Sequence, residues 1–506
     1  YPHSWRSKAP LVHRATPQWF ISMESHKLRE KALKAIDETN FYPSKGKERL
    51  KSMIETRPDW CVSRQRVWGV PLPIFISKKD GKVLVDDDVF DNIANIYEKE
   101  GSDCWFSDNP QRFLGKKYKA ENFEKLTDIV EVWFDSGSTH SFVLEKRDDL
   151  KWPASMYLEG SDQHRGWFHS SLLESCGTRG RAPFESILSH GFVMDGKGLK
   201  MSKSLGNQIL PEDILKKYGA DILRVWVAAS DYAEDLRIDY SILEQHAEAY
   251  RKIRNTFRYL MGNLNDNFSE QDYEKIKINN LPELEQYMLH KLYVLNENFN
   301  KNFKLYNFHA LYKDLLNFCT VDLSSFYFDI RKDTLYCEKK NSDKRMNSIL
   351  TLNVILDGLL RSFAPILSFT TEEIFKLINK DNSNSIHLKK FPKYPSSWKN
   401  EKLNSNWSKI MNIRENVNIS IETKRAEKLI GSSLETTVEI RLNKDLYDLV
   451  KNYDFSEICI TSGANVILDE KIKENIEVET LKAEGNKCSV CWKISKDKCE
   501  RHGNIQ

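Results

Sequence analysis

The sequence predicts a multidomain protein that joins an α/β region to an all-α region, and three observations support this. Between residues 154 and 240, short apolar segments alternate with helical segments, which is typical of a parallel, doubly wound sheet. After residue 240, apolar residues recur at steps of three and four, which indicates packed amphipathic helices. The chain has 506 residues, more than a single hydrophobic core usually serves, so we expect several domains.

The α/β region begins after residues 1–150, a stretch of short strands, turns and basic segments. Apolar runs and flanking turn residues predict its elements. They are a strand over 154–158, a helix over 165–176, a strand over 186–193 and a helix over Pro211–Tyr218 with proline in its first turn.

The all-α region begins with an amphipathic helix after Tyr240. Similar patterns predict helices near 283–300, 305–328 and 346–378, which together indicate a bundle. Residues 381–406 are rich in Asn, Ser, Lys and Pro, and this composition predicts a linker.

A smaller mixed unit follows the bundle. We predict a helix over 407–426, then a strand over 437–442, a helix over 445–452 and a strand over 457–461. These elements form a small α+β unit before the tail.

The composition limits the partners and the cellular location that we expect for the protein. Its formal net charge is only +3, so an RNA partner would require basic residues to be concentrated locally. No apolar run approaches the roughly 18 residues that span a bilayer, so we expect no membrane segment. Six of the nine cysteines are scattered singly, which suits a reducing, cytoplasmic location.

A basic, glycine-flanked loop is the most specific segment of the chain. Residues 196–207 follow a predicted strand and precede a predicted helix, where open α/β sheets bind ligands. The pentapeptide Lys200-Met201-Ser202-Lys203-Ser204 lies at its centre. Its two ammonium groups can neutralise the charge of a departing pyrophosphate. A solvated basic loop without function is the alternative.

A second polar turn lies some forty residues upstream, in residues 157–168. It runs from a strand end into a helix start, which offers free backbone N–H groups to an anion. Glu159 and Asp162 can accept hydrogen bonds from an ammonium group or ribose hydroxyls, and Trp167 supplies a flat apolar wall. The alternative is a capped helix start with Asp162 as the N-cap.

These two segments carry a resemblance to a known family. The pentapeptide resembles the second signature of class I aminoacyl-tRNA synthetases, and residues 157–168 resemble isoleucyl-tRNA synthetases of the bacterial type. The resemblance extends over essentially the whole chain. It is also carried by residues 14–20 (Arg-Ala-Thr-Pro-Gln-Trp-Phe), 63–71 (Ser-Arg-Gln-Arg-Val-Trp-Gly-Val-Pro) and 132–137 (Val-Trp-Phe-Asp-Ser-Gly).

The resemblance implies a role for each matching residue. Lys203, assisted by Lys200, would bind the ATP phosphates and serve catalysis. The implied ATP and adenylate contacts are Glu159, Gly160, Asp162, Lys200, Met201, Ser202, Lys203 and Ser204. Gln163 and Trp167 would line the amino-acid pocket with Trp133, for which a buried structural role is the alternative.

The resemblance also implies a domain order. Residues 1–150 would end a connective insertion, and 151–240 would form the second half of a Rossmann-like catalytic domain. An anticodon-binding bundle (241–400), a C-terminal helix with a small α+β unit (401–480) and a zinc-knuckle tail (481–506) would follow. The family's first signature, His-x-Gly-His, is absent from these 506 residues, and its editing insertion would precede Tyr1. We therefore expect this stretch alone neither to activate nor to edit.

The implied activity is isoleucine–tRNA ligase, with ATP and Mg²⁺, L-isoleucine and tRNA-Ile as partners, in a monomer. Two alternatives stay open. One is a valyl- or leucyl-tRNA synthetase, against which residues 159–168 and the terminal cysteines argue. The other is a non-catalytic or split-enzyme tRNA-binding protein, which the presence or absence of an upstream His-x-Gly-His element would decide.

Two further features concern RNA and metal. Arg251, Arg254 and Arg258 share one face of the first bundle helix and could contact tRNA phosphates, although a solvated basic face is the alternative. The tail places Cys488 and Cys491, then Cys499 and His502, in two pairs with two residues between the members of each pair.

This spacing suits one tetrahedral Zn²⁺ per chain. The related enzymes usually have a fourth cysteine where His502 stands. Inert thiols or a degenerate knuckle without metal are the alternatives. Several basic residues surround the tail and could contact RNA: Lys482, Lys487, Lys493, Lys496, Lys498 and Arg501.

Overall fold

The structure, a computed structural model, describes residues 1–4, 7–264, 272–380, 383–472 and 475–503. It divides into two compact units, each described below by itself. The first unit comprises Tyr1–Phe192 and Tyr232–Asp235, and the second comprises Val193–Asp231 and Leu236–Gln506. The boundary after Phe192 falls inside residues 151–240, whose unity as one catalytic half stays a prediction.

Among its described residues, the first unit contains nine strands and seven α-helices. Its strands are β1 (Phe20–Ile21), β2 (Asn40–Tyr42), β3 (Trp60–Cys61), β4 (Ser63–Arg64), β5 (Phe75–Ser77), β6 (Phe123–Lys125), β7 (Ile129–Val130), β8 (Tyr157–Gly160) and β9 (Ser186–His190). Its helices are α1 (Leu28–Asp37), α2 (Lys45–Glu55), α3 (Asp87–Glu100), α4 (Cys104–Ser107), α5 (Pro110–Leu114), α6 (Val132–Gly137) and α7 (Trp167–Arg179).

A three-stranded parallel sheet of order β2-β9-β8 forms the centre of the first unit. Helix α7 crosses over from β8 to β9, as expected for parallel neighbours. All residues of α7 from Phe168 to Cys176 are buried. A buried helix with small and apolar residues on every side can pack between the sheet and α1, with which it is in contact.

The predicted strand 186–193 is wrong in its extent. Strand β9 ends at His190, and Gly191 donates its backbone N–H to the Tyr232 carbonyl (2.9 Å). A Cβ atom at Gly191 would lie 2.2 Å from the Glu234 carbonyl oxygen, so the chain needs glycine where it leaves the sheet. The predicted strand 154–158 is displaced as well, because β8 covers Tyr157–Gly160.

The second unit begins with β10 (Val193–Asp195), which pairs in parallel with β11 (Leu236–Ile238). Helices α8 (Pro211–Tyr218) and α9 (Ala220–Ala229) lie between these strands in sequence. The bounds of α8 agree with the prediction. Its Ile214 is buried with Trp226, Ile238 and Leu243 in a small apolar cluster.

The predicted bundle is present, and its helices differ from the prediction in extent. They are α10 (Tyr240–Leu264), α11 (Glu283–Lys304), α12 (Phe308–Asn317), α13 (Phe328–Cys337), α14 (Asp343–Phe363) and α15 (Ser368–Asn379). A π-helical segment, Phe318–Tyr327, joins α12 to α13. Predicted helix 346–378 is two helices, because Pro365 cannot donate the next backbone hydrogen bond. In the described ranges, no helix is long and apolar enough to cross a membrane.

The predicted linker 381–406 is wrong for most of its described part; residues 381 and 382 lie outside that part. Tyr394 and Trp398 are buried and their rings stack 5.0 Å apart, so the segment belongs to the bundle core. Helix α16 (Glu401–Ala426) starts within it, because the Asn400 side chain accepts the Leu403 N–H (3.0 Å) as an N-cap.

The elements of the mixed unit are β12 (Thr436–Leu442), α17 (Lys444–Val450), α18 (Phe455–Ile458), β13 (Gly463–Leu468) and β14 (Ile476–Lys482). Its three strands form a sheet of order β13-β12-β14. The predicted strand 457–461 is wrong: Asp454 accepts hydrogen bonds from the N–H groups of Ser456 and Glu457 and starts a helical turn there instead. The tail adds a hairpin of β15 (Asn486–Lys487) and β16 (Ile494–Ser495).

Candidate functional site

The basic loop starts with a tight turn after β10. Asp195 donates its N–H to the Leu199 carbonyl (2.9 Å) and accepts the Leu199 N–H on Oδ1 (2.8 Å). Gly198 has φ +80° in this turn, a conformation that glycine adopts without strain. The chain is thereby reversed just before Lys200.

A side-chain clasp closes the loop at its other end. Asn207 Nδ2 donates to Asp195 Oδ2 (2.9 Å), and Asn207 Oδ1 accepts the Ser202 N–H (3.0 Å). The hydrogen bonds from Asn207 and the Leu199 N–H lower the pKa of the Asp195 carboxyl, so it stays ionised and a good acceptor. Three points of the loop are thus tied together.

Inside the clasped loop the side chains divide by environment. Met201 is half-buried against the cluster that contains Trp226 and Ile238. Ser202 Oγ accepts the Leu205 N–H (3.3 Å) and lies 3.1 Å from Ser204 Oγ. Lys200 and Lys203 are exposed, and neither ammonium group has a hydrogen bond or ion pair with any residue the structure describes. The two cations are therefore free to receive an anion.

The second polar turn lies in the first unit, at the carboxyl end of the parallel sheet. A 3₁₀ turn, Ser161–Arg165, leads from β8 into α7. Gln163 Oε1, and not Asp162, caps α7 by accepting the Trp167 N–H (2.9 Å). Asp162 Oδ2 accepts from Gln163 Nε2 (3.2 Å) and the residue is exposed. The alternative of Asp162 as the N-cap is therefore wrong, and its carboxylate faces solvent.

Two positions in this turn leave room for glycine only, because side-chain oxygen atoms lie where a Cβ atom would stand. A Cβ atom at Gly160 would lie 2.7 Å from Asp162 Oδ1, and one at Gly166 would lie 2.4 Å from Gln163 Oε1. Glu159 is exposed, and its Oε2 accepts the Gly160 N–H (3.2 Å). The turn leaves the carboxylates of Glu159 and Asp162 accessible at one strand end.

Aromatic side chains flank the turn. Trp167 stacks on Tyr157 with ring centroids 4.0 Å apart, and its Nε1 donates to the Ser136 carbonyl (2.9 Å). Trp133 Cη2 lies 3.1 Å from where a Gly166 Cβ would stand. Because Trp133 is 40% exposed, the alternative of a buried structural tryptophan is wrong. The structure therefore brings Trp133, Gln163 and Trp167 together.

A buried carboxyl group behind this surface escaped sequence analysis. Glu174 on α7 is only 8% exposed, and its Oε1 has no hydrogen-bond partner among the described residues. Burial, together with Asp135 and Glu131, raises the pKa of Glu174 to about 9, so the group is neutral at pH 7. An acidic residue inside the uncharged helical run 166–178 is the signal that could have revealed it.

The lysine loop belongs to the second unit, whereas the polar turn and the tryptophans belong to the first. The arginine face also lies in the second unit, on α10. Arg251 is engaged there by Glu244 (2.8 Å) and Glu248 (2.6 Å) of its own helix. Arg254 and Arg258 are exposed and have no ion pair with the residues that the structure covers. Of the three arginines, these two are the ones free to contact phosphate.

The four predicted metal ligands converge in the tail. Cys488, Cys491, Cys499 and His502 place one ligand atom each, all within 4.8 Å of one another. Cys491 Sγ and Cys499 Sγ are 3.8 Å apart, and His502 Nδ1 lies 3.5 and 3.4 Å from the sulfurs of Cys488 and Cys499. Backbone N–H groups of Cys491 and Val490 lower the pKa of the Cys488 thiol to about 6, which favours the thiolate.

The tail is anchored on the end of α13. Arg501 makes two contacts with the Asp333 carboxylate (2.5 and 2.9 Å), and His502 Nε2 lies 3.0 Å from the Cys337 carbonyl oxygen. A second nitrogen held by a backbone carbonyl fixes the histidine so that Nδ1 faces the cysteines. Arg501 is thereby removed from the basic residues available to RNA.

Comparison with known proteins gives two family matches. Residues 7–239 match the family described as tRNA synthetases class I (I, L, M and V). Residues 285–440 match the family described as anticodon-binding domain of tRNA ligase. The first match includes the lysine loop, the polar turn and Trp133. The second match starts in α11.

Relatives with assigned functions agree with these matches. The chain is 73% identical over 504 residues to an isoleucine–tRNA ligase of Pelagibacter ubique, covering 100% of this chain and 55% of that protein. It is 47% identical over 513 residues to an isoleucine–tRNA ligase of Brucella abortus, covering 98% and 52%. The chain thus spans about half the length of the curated relatives it matches.

Among solved structures, methionyl-tRNA synthetase of Mycobacterium tuberculosis in complex with methionyl-adenylate is similar in fold. The TM-score is 0.53 at 16% identity, covering 76% of this chain and 67% of that one.

Proposed function

Because the chain belongs to the class I tRNA synthetases, we propose that it supplies the lysine-loop half of an isoleucine–tRNA ligase. One observation carries the proposal: a clasped loop that presents the free ammonium groups of Lys200 and Lys203. A fold that fixes a backbone and leaves two cations unpaired creates an anion site in advance of its ligand. The identity of the amino acid is supported by the relatives and by no single contact.

In the proposed first step, the isoleucine carboxylate attacks the α-phosphorus of ATP. A carboxylate–phosphorus bond forms, the bond to the β-phosphate oxygen breaks, and pyrophosphate leaves with the electron pair. Lys203 and Lys200 would stabilise the charge that develops on pyrophosphate, together with the Mg²⁺ that accompanies ATP. Ser202 and Ser204 would donate hydrogen bonds beside them, and Met201 would anchor the loop.

The first unit would hold the amino acid and the adenylate. Trp133 and Trp167 present apolar walls suited to an aliphatic side chain. Glu159 would pair with the substrate ammonium group, and Asp162 beside Gly160 would accept hydrogen bonds from the ribose hydroxyls. Gln163, fixed by its hydrogen bond to the Trp167 N–H, would keep the wall in place.

In the second step, a terminal ribose hydroxyl of tRNA-Ile attacks the acyl carbon, and AMP leaves. We propose that Arg254 and Arg258 contact the tRNA backbone. Arg251, predicted for the same role, is engaged with two glutamates and would contribute less. A monomeric state and a cytoplasmic location stay predictions.

We further propose that the tail binds one Zn²⁺ through Cys488, Cys491, Cys499 and His502. Tetrahedral bonds of ~2.3 Å to sulfur and ~2.0–2.1 Å to nitrogen place two sulfurs about 3.8 Å apart, and a sulfur and a nitrogen about 3.5 Å apart. The distances of 3.8, 3.5 and 3.4 Å in this site fit those values. A four-ligand site with no open position supplies cross-linking of the tail and no reaction chemistry.

Amino-acid-dependent ATP–pyrophosphate exchange tests the proposal. The chain is measured alone and fused behind the preceding half of the Pelagibacter ubique relative, with isoleucine, valine and leucine. We expect no exchange from the chain alone, and isoleucine exchange above valine exchange from the fusion. Exchange driven best by leucine or valine would overturn the isoleucine assignment. A folded fusion without any exchange would favour a non-catalytic tRNA-binding protein.

A further inference from the structure

Two segments of the first unit have no part in the function described so far. They are residues 14–20 and 63–71, and in the structure they lie side by side. The hydroxyl of Ser63, a residue that is only 1% exposed, joins them. Its Oγ accepts the Trp19 N–H (2.8 Å) and donates to Gln18 Oε1 (2.7 Å). The first segment therefore fixes the position of the second at Ser63.

The second segment pairs with the strand that leads into α6. Strands β4 and β7 are antiparallel, with Ser63 opposite Val130. The next residue, Glu131, donates its N–H to the Val62 carbonyl (2.8 Å). The Glu131 side chain then caps α6, because its Oε2 accepts the Trp133 N–H (3.2 Å). The place where α6 begins is thus set from residues 62 and 63.

Glu131 is a buried carboxylate, only 6% exposed, and needs a compensating charge. Arg64 Nη2 lies 3.8 Å from Glu131 Oε2, the one ion pair of this carboxylate with any residue that the structure describes. Arg64 is itself fixed, because its Nη1 donates to the carbonyls of Cys61 (3.1 Å) and Ser63 (2.8 Å). Arg57 acts on Glu131 from a longer distance and makes no ion pair with it. Arg64 therefore holds Glu131 in its capping position.

Helix α6 in turn supports both proposed walls of the amino-acid pocket. It carries Trp133, and its Ser136 carbonyl accepts the hydrogen bond from Trp167 Nε1 (2.9 Å). We propose that Arg64 is a positioning residue for this pocket, acting through the Glu131 cap to fix the tryptophan that faces the substrate side chain. The inference rests on the proposed function, in which Trp133 and Trp167 contact isoleucine.

The first measurement follows isoleucine-dependent ATP–pyrophosphate exchange by the fusion. We expect Arg64→Gln to raise the KM for isoleucine about tenfold, within the range that loss of a helix cap produces. The KM for ATP and kcat should stay parental, because the lysine loop is unchanged. Arg66→Gln, which removes an exposed cation of the same segment, is the matched control and should behave like the parent. A lower kcat with a parental KM for isoleucine would indicate loss of folded protein only and would overturn the proposal.

A double-mutant cycle tests whether Arg64 acts through Glu131. Glu131→Gln keeps an acceptor for the Trp133 N–H and should raise the KM for isoleucine by only about threefold. In that background, Arg64→Gln should change the KM by less than about twofold, since the ion pair is already lost. Neither protein contains an unpaired carboxylate at the cap, so this pair carries the test where Arg64→Gln alone does not fold. A further tenfold rise would show that Arg64 acts independently of Glu131 and would overturn the proposal.

The last measurement needs no activity. Fluorine NMR of the chain labelled with fluorotryptophan resolves the tryptophans, and Trp133→Phe identifies the resonance of Trp133. We expect Arg64→Gln to shift this resonance and Arg66→Gln to leave it in place. A shift in a chain whose fusion shows no exchange overturns the proposed function but supports the positioning of Trp133. A parental KM for isoleucine in Arg64→Gln overturns the positioning role and leaves the proposed function standing.

Discussion

The lysine loop and the tryptophan-flanked turn serve one proposed reaction but are built in opposite ways. In the loop, Asp195 and Asn207 fix the backbone, and the ammonium groups of Lys200 and Lys203 stay free. In the turn, the side chains themselves are engaged: Gln163 caps α7, and Trp167 stacks and donates a hydrogen bond. In the loop, the residues proposed for function differ from those that stabilise the structure. In the turn, the same side chains serve both purposes.

The difference follows from the ligands that each region would meet. A polyphosphate carries its own charge, and solvated lysines can approach it from a fixed backbone. An aliphatic side chain offers no charge, so its pocket must be shaped by packing that exists before binding. A substitution at a lysine should therefore leave stability alone, whereas one behind the pocket should not.

The largest expected effect is on activity alone. Lys203→Ala removes a cation from the developing charge, and we expect isoleucine-dependent exchange by the fusion to fall about 10²–10³-fold. The melting temperature should match that of the parent, because the exposed Lys203 ammonium group has no hydrogen bond or ion pair with any described residue. Lys197→Ala, an exposed lysine of the same loop, is the control and should keep its activity.

A loss of stability in Lys203→Ala would break the proposed separation, since it would show that the ammonium group supports the fold. Equal losses of exchange in Lys203→Ala and Lys197→Ala would instead point to general electrostatics of the loop.

The next effect is on stability alone and comes from behind the pocket. The pKa of Glu174 is about 9 in the fold, above its usual value of 4.5. Between these pH values the folded state binds the extra proton, so the free energy of unfolding falls as pH rises. From pH 5 to pH 8 the fall attributable to Glu174 should reach up to about 4 kcal/mol. Glu174→Gln should abolish it.

Denaturant unfolding of parent and variant at pH 5 and pH 8 measures this effect. The exposed Glu48→Gln is the matched control and should unfold like the parent at both values. If the difference between Glu174→Gln and the parent were the same at pH 5 and pH 8, Glu174 would not be a buried neutral acid.

The tail resembles the turn rather than the loop, because the side chains proposed to bind its metal also contact other residues of the protein. His502→Ala should weaken Zn²⁺ binding by about 100-fold or more, since loss of even an outer partner costs ~10–100-fold. His502→Cys should keep the metal, because sulfur is an equally suitable ligand. Zinc content after dialysis against a competing chelator checks both. Retention of zinc by the alanine variant would mean that three cysteines suffice.

The sequence predicts those parts of the site that depend on neighbouring residues. Residues 195–207 carry their own turn, clasp and cations, and Pro211 sets the start of α8, so the pattern alone indicates both. The tail ligands are spaced for convergence, and they converge. Local order in the chain determines local geometry in these cases.

The sequence does not predict features that depend on packing between distant segments. The pKa of Glu174 depends on burial beside Glu131 and Asp135, some forty residues away. The predicted strand 457–461 failed because the apolar pattern ignored the cap supplied by Asp454. The capping role passed from Asp162 to Gln163 because the backbone bends at Gly166.

The smallest expected effect tests the clasp that sustains the comparison. Asn207→Ala removes the hydrogen bonds to Asp195 and Ser202, and we expect exchange to fall only about tenfold, the worth of one or two such bonds. Asn207→Asp should be worse, because it places a second carboxylate beside Asp195, where the amide nitrogen now lies at 2.9 Å. The neighbouring exposed Gln208→Ala is the control.

The rate of isoleucine exchange, measured at saturating and at limiting ATP, shows whether the loss depends on the ATP concentration. A loss confined to limiting ATP means that the clasp only orders the ground state. A loss at saturating ATP means that the fixed backbone itself contributes to stabilising the departing pyrophosphate. Unchanged exchange in both variants would show that the lysines act from a loop that needs no fixing, and the contrast with the turn would then rest on the turn alone.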